Sequence, residues 1–135
     1  MIKVICGPQG SGKTKKLIDS CNKACEKTKG NIVYITDNSE NTMQVRFEVK
    51  YINVLEYNIT SKELLKGFVG GLIAGNADIE YVYIDRSRRI ANLVLSEMED
   101  FYKCLEEYDK SHKVNFVLTA SCELNDIPEF LKKYV

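Results

Sequence analysis

Eight consecutive residues, Gly7, Pro8, Gln9, Gly10, Ser11, Gly12, Lys13 and Thr14, have the types and the spacing to hold a chain of phosphates. They match the pattern G-x-x-x-x-G-K-[ST] at every specified position. Glycine lets the backbone wrap an anion with no side chain in the way, so successive amides and the start of a helix point at the α- and β-phosphates. Lys13 adds a mobile cation for the β- and γ-phosphate oxygens, and the Thr14 hydroxyl is a hard oxygen suited to magnesium. The expected ligand is a nucleoside triphosphate with Mg2+, bound by Gly7, Gln9, Gly10, Ser11, Gly12, Lys13 and Thr14. A glycine turn without a ligand is the alternative; the apolar run before the pattern and the helical run after it favour the ligand.

Other residues able to act on such a ligand stand at the ends of apolar runs. Asp85 ends "YVYID" and is expected beside Thr14 as the second magnesium group, accepting hydrogen bonds from metal-bound water. A turn-starting or capping aspartate is its structural alternative. Arg86, Arg88 and Arg89 follow. Positive charge at a helix start opposes the macrodipole by ~0.3–1 kcal/mol per residue, so a phosphate to neutralise is one explanation and a solvated cluster the other. Arg86, with Lys13 and Thr119, completes the expected catalytic set. Thr119 and Ser121 end "VNFVLTAS", where a hydroxyl can probe the γ-phosphate or its water. Asp37 and Glu40, after the second strand, are candidates to orient a nucleophile. His112, the lone histidine, reads as a solvated or capping residue.

The elements that must position these groups alternate between strand and helix. Ile2 to Cys6, residues 31 to 36, 81 to 85 and 114 to 121 are buried-strand runs, and "INVLEYNI" from Ile52 is a shorter strand candidate. From Lys13, Leu17, Ile18, Cys21, Ala24 and Cys25 recur at helical spacing, with Gly30 as a stop. Thr60 with Glu63 predicts a capping box opening a second helix that Gly75 and Asn76 end. Within it Gly67, Gly70 and Gly71 each cost about 1 kcal/mol against alanine, which predicts close backbone packing. One long helix is expected from Ile90 to beyond Leu105, and "IPEFLKKY" predicts a short closing helix. The polar segment "DNSENTMQ" from Asp37 reads as a loop with one weak helical turn. Together these predict one domain over residues 1–135, a three-layer α/β/α fold with a mostly parallel sheet of about five strands and right-handed crossovers. Ligands of such sheets bind beyond the carboxyl ends of the strands.

Composition narrows the function classes. The 135 residues balance 19 Lys and Arg against 19 Asp and Glu, so no global charge recommends nucleic acid or an anionic membrane as partner. No apolar run approaches the ~20 residues that span a bilayer, and the first residues have a strand pattern rather than that of a signal peptide; a cytoplasmic protein is expected. Five cysteines without a C-x-x-C pair indicate neither a disulfide framework nor a zinc site, and Cys21 and Cys25 read as core residues.

"GPQGSGKT", "YVYID" and "VLTAS" resemble the P-loop NTPase superfamily, in the branch that inserts a strand between the Walker A and Walker B strands. The chain is also similar to small bacterial P-loop proteins sometimes labelled twitching-motility ATPases, although it lacks the length for a motor's extra domain and has no histidine-bearing motifs. The resemblance implies a nucleotide-binding domain with ATP and Mg2+. In that branch a glutamate that activates water commonly follows the Walker B aspartate; here Arg86 takes its place. Without N-K-x-D or L-S-G-G-Q segments, ATP is the expected nucleotide. Three activities stay open: a weak or partner-activated ATPase, a nucleoside or nucleotide kinase suggested by "IDRS", and a non-hydrolysing ATP switch read by a protein partner.

Overall fold

Apolar, β-branched runs form five strands: β1 Ile2–Gly7, β2 Asn31–Thr36, β3 Lys50–Asn53, β4 Ile79–Ile84 and β5 Asn115–Ser121. The computed structural model describes all of residues 1–135. The strands make one all-parallel sheet in the order β1-β5-β4-β2-β3. The helices are α1 Lys13–Lys27, α2 Lys62–Gly75, α3 Ser87–Ala91 and α4 Glu99–His112.

Both faces of the sheet are covered, which is why its strands are apolar at consecutive positions. On one face Ile32, Tyr34, Tyr83 and Val117 pack against Leu17, Ile18, Cys21 and Ala24 of α1. On the other, Val33, Ile35, Val82, Ile84, Phe116 and Leu118 share a larger core with α2, α3 and α4. No helix is long and apolar enough to cross a membrane.

Parallel neighbours need a crossover of a dozen residues or more. Between β2 and β3 the polar segment supplies it with only a short 3-10 turn, Thr42–Gln44. Val45 and Val49 from this segment are buried in the α1-side core. Asn22 of α1 pins it from both sides, donating to the Gln44 carbonyl at 2.9 Å and accepting from the Arg46 amide at 3.0 Å.

Several boundaries differ from the sequence expectation. The long helix after β4 is broken: Asn92 adopts a left-handed conformation, φ 57°, and its amide and that of Leu93 close on the Arg89 and Arg88 carbonyls. A 3-10 turn at Leu95–Glu97 then leads into α4, and Val94, expected on the apolar stripe, is exposed. The start of α2 is capped by Ser61, whose Oγ accepts from the Leu64 amide at 3.1 Å, so Thr60 and Glu63 form no capping box. The first helix ends at Lys27, before Gly30. β3 stops at Asn53, whose side chain caps a 3-10 turn over Val54–Tyr57, and the closing segment is a 3-10 helix, Glu129–Tyr134. Of the four glycines in α2 only Gly70 meets a close neighbour: a Cβ there would lie 2.5 Å from the Tyr108 hydroxyl, whereas Gly67, Gly71 and Gly75 face open space.

The chain leaves β1 for α1 on one face and leaves β4 for α3 on the opposite face. Their carboxyl ends, with β5 between them, therefore border a crevice, the usual ligand position in open parallel sheets.

Candidate functional site

The glycine-rich loop joins β1 to α1 at the rim of that crevice. Gly10 and Gly12 have φ of 82° and 86°, a region that costs L-residues roughly 1–2 kcal/mol, so glycine belongs at both. Gly12 is the N-cap of α1 and supplies no side-chain cap, which leaves the first amides of the helix for a ligand. Gly7 faces the loop closely: a Cβ there would lie 2.6 Å from the Ser11 Oγ, so that side chain would have to turn away. Lys13 curls over the loop, its Nζ donating to the Pro8 carbonyl at 2.9 Å. Two of its three N–H groups remain for an anion.

Asp85 lies directly after β4, only 3% exposed. Its amide donates to the Ile35 carbonyl at 2.9 Å, which extends the sheet by one step. Two hydroxyls donate to its carboxylate: Thr14 from α1 at 2.7 Å and Thr119 from β5 at 2.6 Å. Thr119 also accepts from the Arg86 amide at 3.3 Å. Arg86 reaches that position through a left-handed backbone, φ 63°, which turns the chain sharply between β4 and α3. Residues far apart in sequence thus converge on one carboxylate.

Above them opens a cleft of about 300 Å³. Gln9, Gly10, Gly12, Lys13 and Thr14 line one wall, and residues of α3 with the end of β5 line the other. Lys13, Arg86, Arg88 and Arg89 bring four cations to the lining against one acid, Asp85. That imbalance suits a polyanion. Beneath the loop, the Cys6 thiol is pushed up to about 12 by burial and by neighbouring Cys122, with Lys13 opposing, which keeps it protonated and inert at neutral pH.

The oxygens present fit magnesium. A hydroxyl and a carboxylate side by side are hard donors, and with only two of them the remaining positions of an octahedron fall to phosphate oxygens and water. No group of three His, Cys, Asp or Glu residues is placed to hold a metal ion. Thr14 and Asp85 would hold such a cation, which would neutralise phosphate charge.

The structure brings Gln9, Gly10, Gly12, Lys13, Thr14, Asp85, Arg86, Thr119 and Ser121 to one cleft, whereas Gly7 and Ser11 of the loop do not line it. It separates others. Asp37 does not line the cleft; it is bound by Arg89 Nε at 3.3 Å and lies 3.9 Å from Arg86, fastening the end of β2 to α3. Glu40 is exposed on the crossover and His112 is exposed at the end of α4. Arg88 has no acidic partner and donates only to the Leu93 carbonyl at 3.3 Å. Sequence reasoning passed over Ser87, buried and lining the cleft, and Thr36, a buried hydroxyl with no hydrogen-bond partner. The only sequence signal for Thr36 is a polar residue ending an apolar strand. No protein-family model and no curated protein matches the chain.

Proposed function

We propose that the chain binds a nucleoside triphosphate, ATP, with Mg2+, and hydrolyses it slowly unless a protein partner accelerates the step. One observation carries this: Thr14, Thr119 and Asp85 are joined by hydrogen bonds directly beneath a glycine loop whose lysine keeps free donors. The loop amides and Lys13 would hold the phosphates and Thr14 with Asp85 would hold the cation, while Thr119 fixes the Asp85 carboxylate. The cleft contains no second carboxylate to take a proton from water, which supports slow turnover. Stabilisation would come from the cations around the γ-phosphate position.

A second reading, transfer of the phosphoryl group to another small molecule, is favoured by Arg88, a cation in the same cleft without an acidic partner. Calorimetric titration of the protein with ATP and Mg2+ tests the shared premise. Lys13→Ala is expected to weaken binding about 30-fold or more, the worth of a charge-assisted contact. Unchanged affinity would reject the site. Phosphate release without acceptor identifies an ATPase, and a phosphorylated product from a nucleoside and nucleotide panel identifies a transferase.

A further inference from the structure

We propose that Thr36 is a positioning residue of the magnesium site, its hydroxyl holding a water of the cation's shell beside Thr14 and Asp85. The proposal rests on the nucleotide reading above. Thr36 is 1% exposed and its Oγ1 has no hydrogen-bond partner. A buried hydroxyl without a partner opposes folding, and valine, its near-isostere, would avoid that cost in the same space. No other group of the protein pairs with this hydroxyl.

Its position says which partner. Ile35 pairs with Ile84, and Ile84 with Leu118, so the next step along the sheet sets Thr36, Asp85 and Thr119 in one row across β2, β4 and β5. All three follow by two residues a side chain of the α1-side core, Tyr34, Tyr83 and Val117, and so share that face. The start of α1 lies over this row, since Thr14 reaches Asp85. Thr14 and Thr119 both spend their protons on the carboxylate, and Thr36 does not. Two other buried hydroxyls lack partners, those of Tyr34 and Tyr102. Tyr34 lies a step deeper on β2 and Tyr102 lies in the core of the opposite face, so only Thr36 stands at the carboxyl end of a strand. Water bound to a hard cation both donates and accepts, and it would satisfy this hydroxyl when the nucleotide is bound.

Thermal unfolding of wild type, Thr36→Val and Thr36→Ser tests the inference, each without ligand, with ATP in EDTA, and with ATP over a Mg2+ titration. Thr36→Val is expected to unfold at or above the wild-type temperature without ligand, yet to need about fivefold more Mg2+ for half-maximal stabilisation by ATP, with Thr36→Ser restoring the wild-type requirement. A valine variant with wild-type Mg2+ dependence overturns the inference while leaving the nucleotide reading intact. A valine variant that unfolds several degrees lower without ligand also overturns it, because the hydroxyl then has a partner inside the apo protein. Wild type with no Mg2+-dependent response to ATP rejects the nucleotide reading itself, and this inference with it.

Discussion

Asparagine at position 85 separates what the buried carboxylate does for folding from what it does for a ligand. Asp85 is 3% exposed, and no Lys or Arg lies within ion-pair distance of it; its partners are two hydroxyls at 2.7 and 2.6 Å. A buried charge without a counter-charge is costly, whereas asparagine keeps the shape, accepts from one threonine and donates to the other. Without ligand, Asp85→Asn is therefore expected within about 1 kcal/mol of wild type, with the sign toward greater stability, or about 3–5 °C at most for a chain of this size. With ligand the order reverses. Saturation at a hundred times Kd stabilises a protein by about 2.7 kcal/mol, here a rise of about 8–13 °C. Removing the negative charge beside a divalent cation, at a cost of about 3 kcal/mol, weakens binding roughly 100-fold and leaves a rise of about 2 °C or less. Scanning calorimetry with ATP in Mg2+ and in EDTA reads both effects. A variant that unfolds more than about 2 kcal/mol below wild type without ligand would make the carboxylate structural, and one that keeps the Mg2+-dependent rise would remove Asp85 from the metal site; either result refutes the reasoning.

Two further predictions concern the scaffold. Gly70→Ala is expected to destabilise by about 1–2 kcal/mol despite alanine's better helix propensity, because its Cβ would lie 2.5 Å from the Tyr108 hydroxyl, which donates to the Lys66 carbonyl. Gly71→Ala, in open space, should gain up to about 1 kcal/mol in the same denaturation assay, and Tyr108→Phe should rescue Gly70→Ala in part. Asp100 bridges Lys62 at 2.9 Å and Lys66 at 2.8 Å, and these bonds hold its carboxyl down to about 2. Its folded value is depressed, so its contribution is present above the ordinary carboxylate range and is lost as pH falls from about 4 through about 2. The carboxylate is half exposed, so Asp100→Asn should cost less than about 1 kcal/mol at neutral pH, a difference that fades near pH 2 and in about 1 M salt.

The alternation of strand and helix was legible because each strand is buried on both faces and each main helix on one. Burial writes periodicity into the chain. What periodicity could not show was where a helix breaks: Ile90, Met98, Phe101 and Leu105 all reach the core, yet Asn92 in a left-handed turn interrupts the path between them. Val94 fits the helical stripe and is exposed, because after the break the segment is no longer in phase with α3. The crossover from Asp37 was legible as a loop with one helical turn, Thr42–Gln44, but its packing was not, for the opposite reason. Only Val45 and Val49 mark it as packed, and its fastening to α1 through Asn22 is polar, a type of contact that carries no period.

The site divides along the same line. The glycine loop is contiguous, so residue types and spacing state its geometry, down to the two left-handed glycines. The row of Thr36, Asp85 and Thr119 depends instead on strand order, which sets β4 between β2 and β5, and on register, which no hairpin turn fixes in a parallel sheet. Register here is set by the apolar residues one step below the row, Ile35, Ile84 and Leu118, each at most 0% exposed and each turned toward α2–α4. A slip of one residue would move Asp85 from the α1 face into that core and carry it away from Thr14. The polar geometry of the cleft is therefore a consequence of apolar packing, and substitutions at Ile35 or Ile84 that loosen the pairing should disturb the carboxylate's two hydrogen bonds without touching any residue of the cleft.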